Sequence, residues 1–158
     1  MSTAREPSEF PEIRRATARD APALAALTEL SYEHYVPRIG LRPAPMDADH
    51  LAEVLDKVVW VAQEHEAVIG LVVLGIEPDH VLIENLAVAP TSQARGVGTL
   101  LLAAAERQAR SAGVSEVRLY THEAMTENIG YYTRRGYVET HRLRENGFSR
   151  VFFTKRLA

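Results

Sequence analysis

The stretch from Val81 to Arg110, VLIENLAVAPTSQARGVGTLLLAAAERQAR, constrains the fold more than any other part of the chain. Residues 81–88 are apolar and β-branched, as a buried strand requires. Pro90 ends the run, because proline has no N–H to give to a ladder. From Gly98 on, Leu100, Leu101, Ala104 and Ala105 recur at helical spacing, and Gly113 supplies a stop just past Ser111. The turn between strand and helix, Gln93-Ala94-Arg95-Gly96-Val97-Gly98, brings two glycines to a helix start, where backbone N–H groups lack intrahelical partners. Free amides and the helix dipole together suit a phosphate or pyrophosphate. The turn is not a dinucleotide fingerprint, which needs a third glycine where Leu101 stands. Nor is it a P-loop, which needs Gly-Lys-Ser/Thr where Gly98 is followed by Thr99 and Leu100.

Charge separates a nucleic-acid partner from a small polyanion. The net charge of -3 argues against a nucleic-acid binder. Residues 1–79 hold 7 Lys/Arg and 14 Asp/Glu, whereas 80–158 hold 11 and 7, so the basic half is the half with the turn. A polyanionic ligand there and a cationic substrate nearer the acidic half match the asymmetry; a solvated charged surface is the competing reading. A chain of 158 residues, 46% hydrophobic and 25% charged, suits one globular domain around a single core. No run approaches the roughly 20 apolar residues of a membrane helix, and residues 1–11 are polar and acidic rather than a signal peptide. The expectation is a cytoplasmic protein with no membrane partner. Zero cysteines exclude disulfides, thiolate metal ligands and a thiol nucleophile, and no metal is expected.

In chain order, residues 1–11 read as a loose tail ahead of a single domain over 12–158, and 12–16 as a first strand. Thr17 or Asp20 can cap a helix over 21–35, on which Leu24, Leu27, Leu30 and Ser31 share a face until Pro37 breaks it. Residues 36–47, VPRIGLRPAPMD, with three prolines and Gly40, read as an irregular loop. Long loops inside a domain tend to be functional. With Tyr32, His34, Tyr35, Arg38 and Arg42 on or beside it, this one is the candidate substrate wall; a surface loop with solvated arginines is the alternative. A short helix over 48–56 precedes a hairpin of strands at 58–63 and 67–76, where Gly70 and Gly75 point to a bulge or a close packing approach. Pro78-Asp79 then turns the chain into the strand at 81–88. Residues 114–120 form a fifth strand, and strand, crossover helix and strand imply a parallel pair. A short helix at 125–135 stops at Gly136, and strands at 137–143 and 148–156 close a hairpin around Glu145-Asn146-Gly147. The predicted class is α/β: a mixed, mostly antiparallel sheet with one central parallel pair.

That order, with Gln93-x-x-Gly96-x-Gly98 after the fourth strand and Tyr131-Tyr132-Thr133-Arg134-Arg135-Gly136-Tyr137 after the fifth, resembles the GNAT superfamily of acetyl-CoA-dependent N-acetyltransferases over residues 13–157. The resemblance implies a seven-stranded sheet with about four helices, its fourth and fifth strands splayed for coenzyme A. It implies that the backbone of Leu86, Ala87 and Val88 pairs with the pantetheine arm, and that Gln93, Ala94, Arg95, Gly96, Val97, Gly98 and Thr99 hold the pyrophosphate. An open strand edge does offer unpaired N–H and C=O groups for such an arm. On this reading Asn85-Leu86-Ala87-Val88 needs no side-chain chemistry. Arg95, Arg134 and Arg135 are candidates for the 3′-phosphate, or are merely solvated.

Tyr132 matches the family's Tyr in Leu-Tyr-x-x-x-Gly-Phe, which donates a proton to the departing thiolate. A phenol of pKa about 10 stays protonated at neutral pH and can reprotonate a thiolate of pKa roughly 8–9. The competing reading, an aromatic packed on a helix, is the role expected of Tyr131. Where many members carry an Asn on the pantetheine arm, seven residues before this Tyr, the chain has Met125; Asn128 takes over the contact from the next turn or caps the helix. Glu84 is the expected base, because it interrupts an apolar strand and a buried carboxylate without a partner has a raised pKa. A salt bridge to an arginine is its alternative. Tyr120 and His122, ending the fifth strand, are rivals for that role, and with Tyr32, Tyr35 and Arg38 they are the candidate acceptor residues. His80 reads as turn surface, and the oxyanion falls to a backbone amide near Val88.

The function implied is transfer of acetyl from acetyl-CoA to a primary amine of a small molecule, by direct attack in a ternary complex. A noncatalytic acyl-CoA sensor, a protein N-terminal acetyltransferase, and a phosphate-binding domain unrelated to coenzyme A are the alternatives. The resemblance allows a homodimer and does not name the acceptor.

Overall fold

A computed structural model describes residues 11–158. The tail expected at 1–11 therefore lies, Pro11 apart, outside the described residues. Seven strands form one sheet in the order β1-β2-β3-β4-β5-β7-β6. They are β1 (Glu12–Arg15), β2 (Val58–Glu64), β3 (Ala67–Ile76), β4 (Val81–Val88), β5 (Glu116–His122), β6 (Val138–Glu145) and β7 (Phe148–Arg156). Every neighbouring pair is antiparallel except β4 and β5. The last hairpin inserts β7 beside β5, which leaves β6 as an edge whose residues are almost all exposed.

The helices are α1 (Ala21–Tyr32), α2 (Val36–Ile39), α3 (His50–Asp56), α4 (Val97–Ser111) and α5 (Thr126–Arg134). Two expectations need correction. The helix over 21–35 ends at Tyr32 and continues as a 3-10 turn, Glu33–Tyr35, and its buried face is Leu24, Leu27, Thr28 and Ser31, with Leu30 exposed. The supposedly irregular segment 36–47 holds α2 and a second 3-10 turn, Ala44–Asp47. Pro37 lies in the first turn of α2, where a missing N–H has no partner to lose, so it starts a helix rather than breaking one. Arg42 pins the segment by bonding both Glu29 and Asp47.

The sheet buries apolar side chains on both faces. α4 covers one face through Leu101, Leu102 and Ala105 against Val72, Leu74, Val81, Ile83, Leu119 and Phe153. On the other, Leu24 and Leu27 of α1 pack on Val59, Val61, Leu71, Val73 and Ala87. A Cβ at Gly70 would stand 2.9 Å from both Leu101 and Val97, so α4 approaches β3 closely there, and the β2–β3 register also slips beside it, leaving Ile69 as the extra residue.

A second bulge positions the site. Leu74 opposes Ile83 and Val73 opposes Asn85, so Glu84 is the unopposed residue of β4. Strand side chains alternate faces, and one inserted residue reverses the phase. Ile83 accordingly packs under α4, whereas Ala87, also odd-numbered, packs under α1. The parallel pairing of β4 with β5 also ends there: it runs only from Val81–Val117 to Ile83–Leu119. Beyond Ile83 the two strands part.

Candidate active site

The parting leaves the C-terminal half of β4 with one side open. Ala89 N–H donates to Ile69 C=O across β3 at 2.8 Å. By the alternation of antiparallel ladders, Ala87 then turns its N–H and C=O to β3, and Leu86 and Val88 turn theirs to the opening. Of the three residues expected to offer backbone groups, Leu86 and Val88 do so and Ala87 is committed to the sheet. Hydroxyls from α1 reach their carbonyls: Tyr32 Oη donates to Leu86 O at 3.2 Å and Ser31 Oγ to Val88 O at 3.0 Å.

Asn85 departs from the expectation that this stretch carries no side-chain chemistry. It is 3% exposed, its Nδ2 donates to Thr28 Oγ1 at 3.2 Å, and its Oδ1 accepts from Tyr32 Oη at 3.0 Å. A buried amide must find partners, and here they weld α1 to the free edge of β4. The signal in the sequence is a lone amide in an apolar strand. Burial pushes the Tyr32 phenol well above its ordinary range.

At the far end of β4, the turn into α4 places Ala94 at φ 65° and Gly96 at φ 81°, both left-handed. The first bond of α4 runs from Leu100 N–H to Gly96 C=O, so the amides of Val97, Gly98 and Thr99 have no intrahelical acceptor. Gln93 Nε2 folds back onto Val88 O at 3.3 Å. Arg95 is occupied by Glu64 at 2.8 Å. Gly98 has a reason beyond ligand approach: a Cβ there would collide with Tyr131 Oη. Tyr131 backs the turn, with the Arg135 guanidinium 3.5 Å above its ring and Arg135 Nε donating to Thr99 Oγ1 at 3.1 Å.

A pocket passes through the opening and is lined from both sides of the sheet. From α5 and the residue that caps it come Asn128, Tyr132 and Met125; from the other side come Tyr32, Glu84, Tyr120, His122, Phe148 and Arg150. Tyr132 is 7% exposed, set edge-on against Tyr131 and Tyr137, and burial holds its phenol well above the usual value. Asn128 does not cap α5: its Nδ2 points to Thr121 Oγ1 at 3.4 Å and Met125 Sδ at 3.5 Å.

Glu84 is not the unpaired carboxylate that a burial argument requires. Lys57 Nζ donates to its Oε1 at 2.5 Å, and the partner is a lysine rather than an arginine. His122 faces backbone donors with both ring nitrogens, Ala124 N–H at 3.0 Å on Nδ1 and Ser149 N–H at 3.3 Å on Nε2. Burial lowers its pKa, and these contacts hold the ring between the end of β5 and the start of β7, where it lines the pocket. Arg38 leaves the acceptor side to clasp Glu127 of α5 at 2.8 Å and Ala124 O at 3.2 Å. Beside it Tyr35 donates to Glu127 at 3.4 Å, and burial pushes its phenol up to about 12. His80 pairs with Asp79 in the β3–β4 turn at 2.7 Å, away from the pocket.

A mixed sheet parted at its one parallel pair, with an open helix start at one end of the cleft, is the architecture of acetyl-CoA-dependent acyltransferases. The chain belongs to the acetyltransferase (GNAT) family, whose model matches residues 23–137. No curated protein matches it. Among solved structures, PaiA N-acetyltransferase from Thermoplasma acidophilum, in complex with coenzyme A, superposes with a TM-score of 0.79 at 20% identity, over 92% of this chain and 98% of its own. A GCN5-related N-acetyltransferase from Rhodopseudomonas palustris gives 0.78 at 25% identity, over 98% and 99%. Ribosomal-protein-alanine N-acetyltransferase from Brucella melitensis gives 0.69 at 21%, over 92% and 99%.

Proposed function

We propose that this chain, a single domain over 12–158, moves acetyl from acetyl-CoA to a primary amine of a small molecule in a ternary complex, in the cytoplasm. The observation that carries the reading is the opening past Ile83, where Leu86, the Tyr132 phenol and the Glu84 carboxylate meet in one pocket. The residues fit the co-substrate: the N–H of Val88 pairs with a pantetheine carbonyl, and the free amides of Val97, Gly98 and Thr99 take the pyrophosphate. Gln93, Ala94 and Gly96 shape that turn, and Asn128 borders the arm.

Acetyl-CoA supplies an activated thioester carbonyl. The acceptor must present a neutral amine, and Glu84, held in place by Lys57, takes the ammonium proton directly or through water. The amine nitrogen bonds the carbonyl carbon, the carbon–sulfur bond breaks, and the nitrogen's surplus proton passes to solvent. Leu86 N–H, beside Glu84 and Tyr132, steadies the oxyanion, and Tyr132 gives its proton to the departing sulfur. A small acceptor suits the entrance, because the β6–β7 hairpin closes on the α2 segment: a Cβ at Gly147 would stand 3.1 Å from Leu41 Cδ1. Thiol release from acetyl-CoA against a panel of small amines and N-terminal peptides tests the reading. Release with small amines supports it; release with peptides alone replaces it with protein N-terminal acetylation, and coenzyme A binding without any release replaces it with a sensor.

A further inference from the structure

The acceptor side of the pocket contains a cation that acetyl transfer itself does not use. Arg150 stands in β7 directly opposite His122 of β5, on the sheet face that α2 borders. Its side chain is 15% exposed. The guanidinium carbon lies 4.6 Å over the Tyr120 ring and 5.5 Å from the Phe148 ring, so two aromatic walls hold the group in place. Among the described residues its one carboxylate neighbour is Glu145, at 3.5 Å and itself 39% exposed, too long for a hydrogen-bonded fork. A guanidinium carries five N–H donors in a plane suited to a carboxylate, and withdrawing it from water is unfavourable unless an anion meets it. Arg118, by contrast, bonds Glu116 at 2.7 Å, Arg142 bonds Glu139 at 2.8 Å and Arg95 bonds Glu64 at 2.8 Å. The remaining wall is apolar, from Ile39, Pro43 and Pro45.

We infer that the acceptor is an amine bearing a carboxylate, of the free amino acid class, whose carboxylate is received by Arg150 and whose amine points to Glu84 and Tyr132. This rests on the acetyl-transfer reading and adds a carboxylate to the cationic amine suggested by the charge of the two halves: net charge describes the surface, whereas the pocket sets its own polarity. Arg150 is then a specificity-determining residue for the acceptor.

The experiment is calorimetric binding, in the presence of coenzyme A, of matched acids and amides: leucine and leucinamide, phenylalanine and phenylalaninamide, with phenethylamine as the decarboxylated member. Charged hydrogen bonds of this kind predict acids bound about 10-fold tighter or more. Arg150→Met, which keeps an apolar side chain against Tyr120 and Phe148, should abolish the preference, and Arg150→Lys should retain part of it. A melting temperature close to that of the parent establishes that each variant folds. Amides binding as well as acids, a preference that survives Arg150→Met, or no acid binding at all would overturn the inference. Thiol release measured on the same samples separates the two claims: an Arg150-dependent acid preference without release removes acetyl transfer and leaves the carboxylate site standing.

Discussion

Burial keeps the Tyr132 phenol in the protonated form that its proposed task requires. A phenol packed among Tyr131, Tyr137 and Phe153, with its pKa raised by desolvation, remains a proton donor at any pH at which a thiolate needs one. Tyr132→Phe should lower kcat by on the order of 10²-fold and leave KM for acetyl-CoA near its parent value, in steady-state assays. The parent kcat should show no loss from Tyr132 ionisation as pH rises towards about 10, the ordinary tyrosine value; an alkaline limb well below that, removed by the Phe variant, would contradict the assignment. Asn85 acts at the same scale by different means. Asn85→Leu removes the amide partner of Thr28 Oγ1 and one of the two acceptors of the Tyr32 hydroxyl, and should cost about 1–3 kcal/mol of stability in chemical denaturation.

At the scale of elements, the turn into α4 combines two separate demands for glycine. Gly96 is in the left-handed region, and Gly96→Val should strain the backbone by about 1–2 kcal/mol and weaken coenzyme A binding in calorimetry. Gly98 is not left-handed; it makes room for Tyr131. Gly98→Ala should therefore lower the melting temperature, and Tyr131→Phe, by removing the hydroxyl in the way, should recover part of that loss. The elements themselves were legible because period-two and helical patterns are local, and the Val81–Arg110 stretch reads directly as strand, turn and helix. Pro37 misled because proline both ends helices and begins them, and only the backbone around it decides which. The Glu84 bulge was hidden, since register is a property of two strands and Glu84 alone shows only that a charge interrupts an apolar run. Arg150 was missed for a related reason: it sits in a strand of mixed polarity, and only the fold brings Tyr120 and Phe148 against it.

At the scale of the molecule, the sheet holds the site by what it leaves out, pairing β4 with β5 for three positions and then releasing it. The rest must stay rigid for that opening to persist, and the edge is secured partly by Arg14 and Asp20. Their bond at 2.9 Å and the Thr17 N–H hold the Asp20 carboxyl at about 2, below its ordinary 3.8. A depressed carboxyl stabilises the fold above its unfolded pKa and loses that contribution as pH falls through the folded one. Acid titration of stability should thus show about 2 kcal/mol disappearing between pH 4 and 2 in the parent and absent from Asp20→Asn. The most direct test of the whole account is a comparison of thiol release by the parent chain and by Tyr132→Phe, with acetyl-CoA and a panel of small amines, followed by mass measurement of the acceptor. The account predicts one acetyl added per thiol released, with the variant retaining coenzyme A binding and losing turnover. Thiol release with no acetylated amine, or undiminished turnover in the variant, would contradict it.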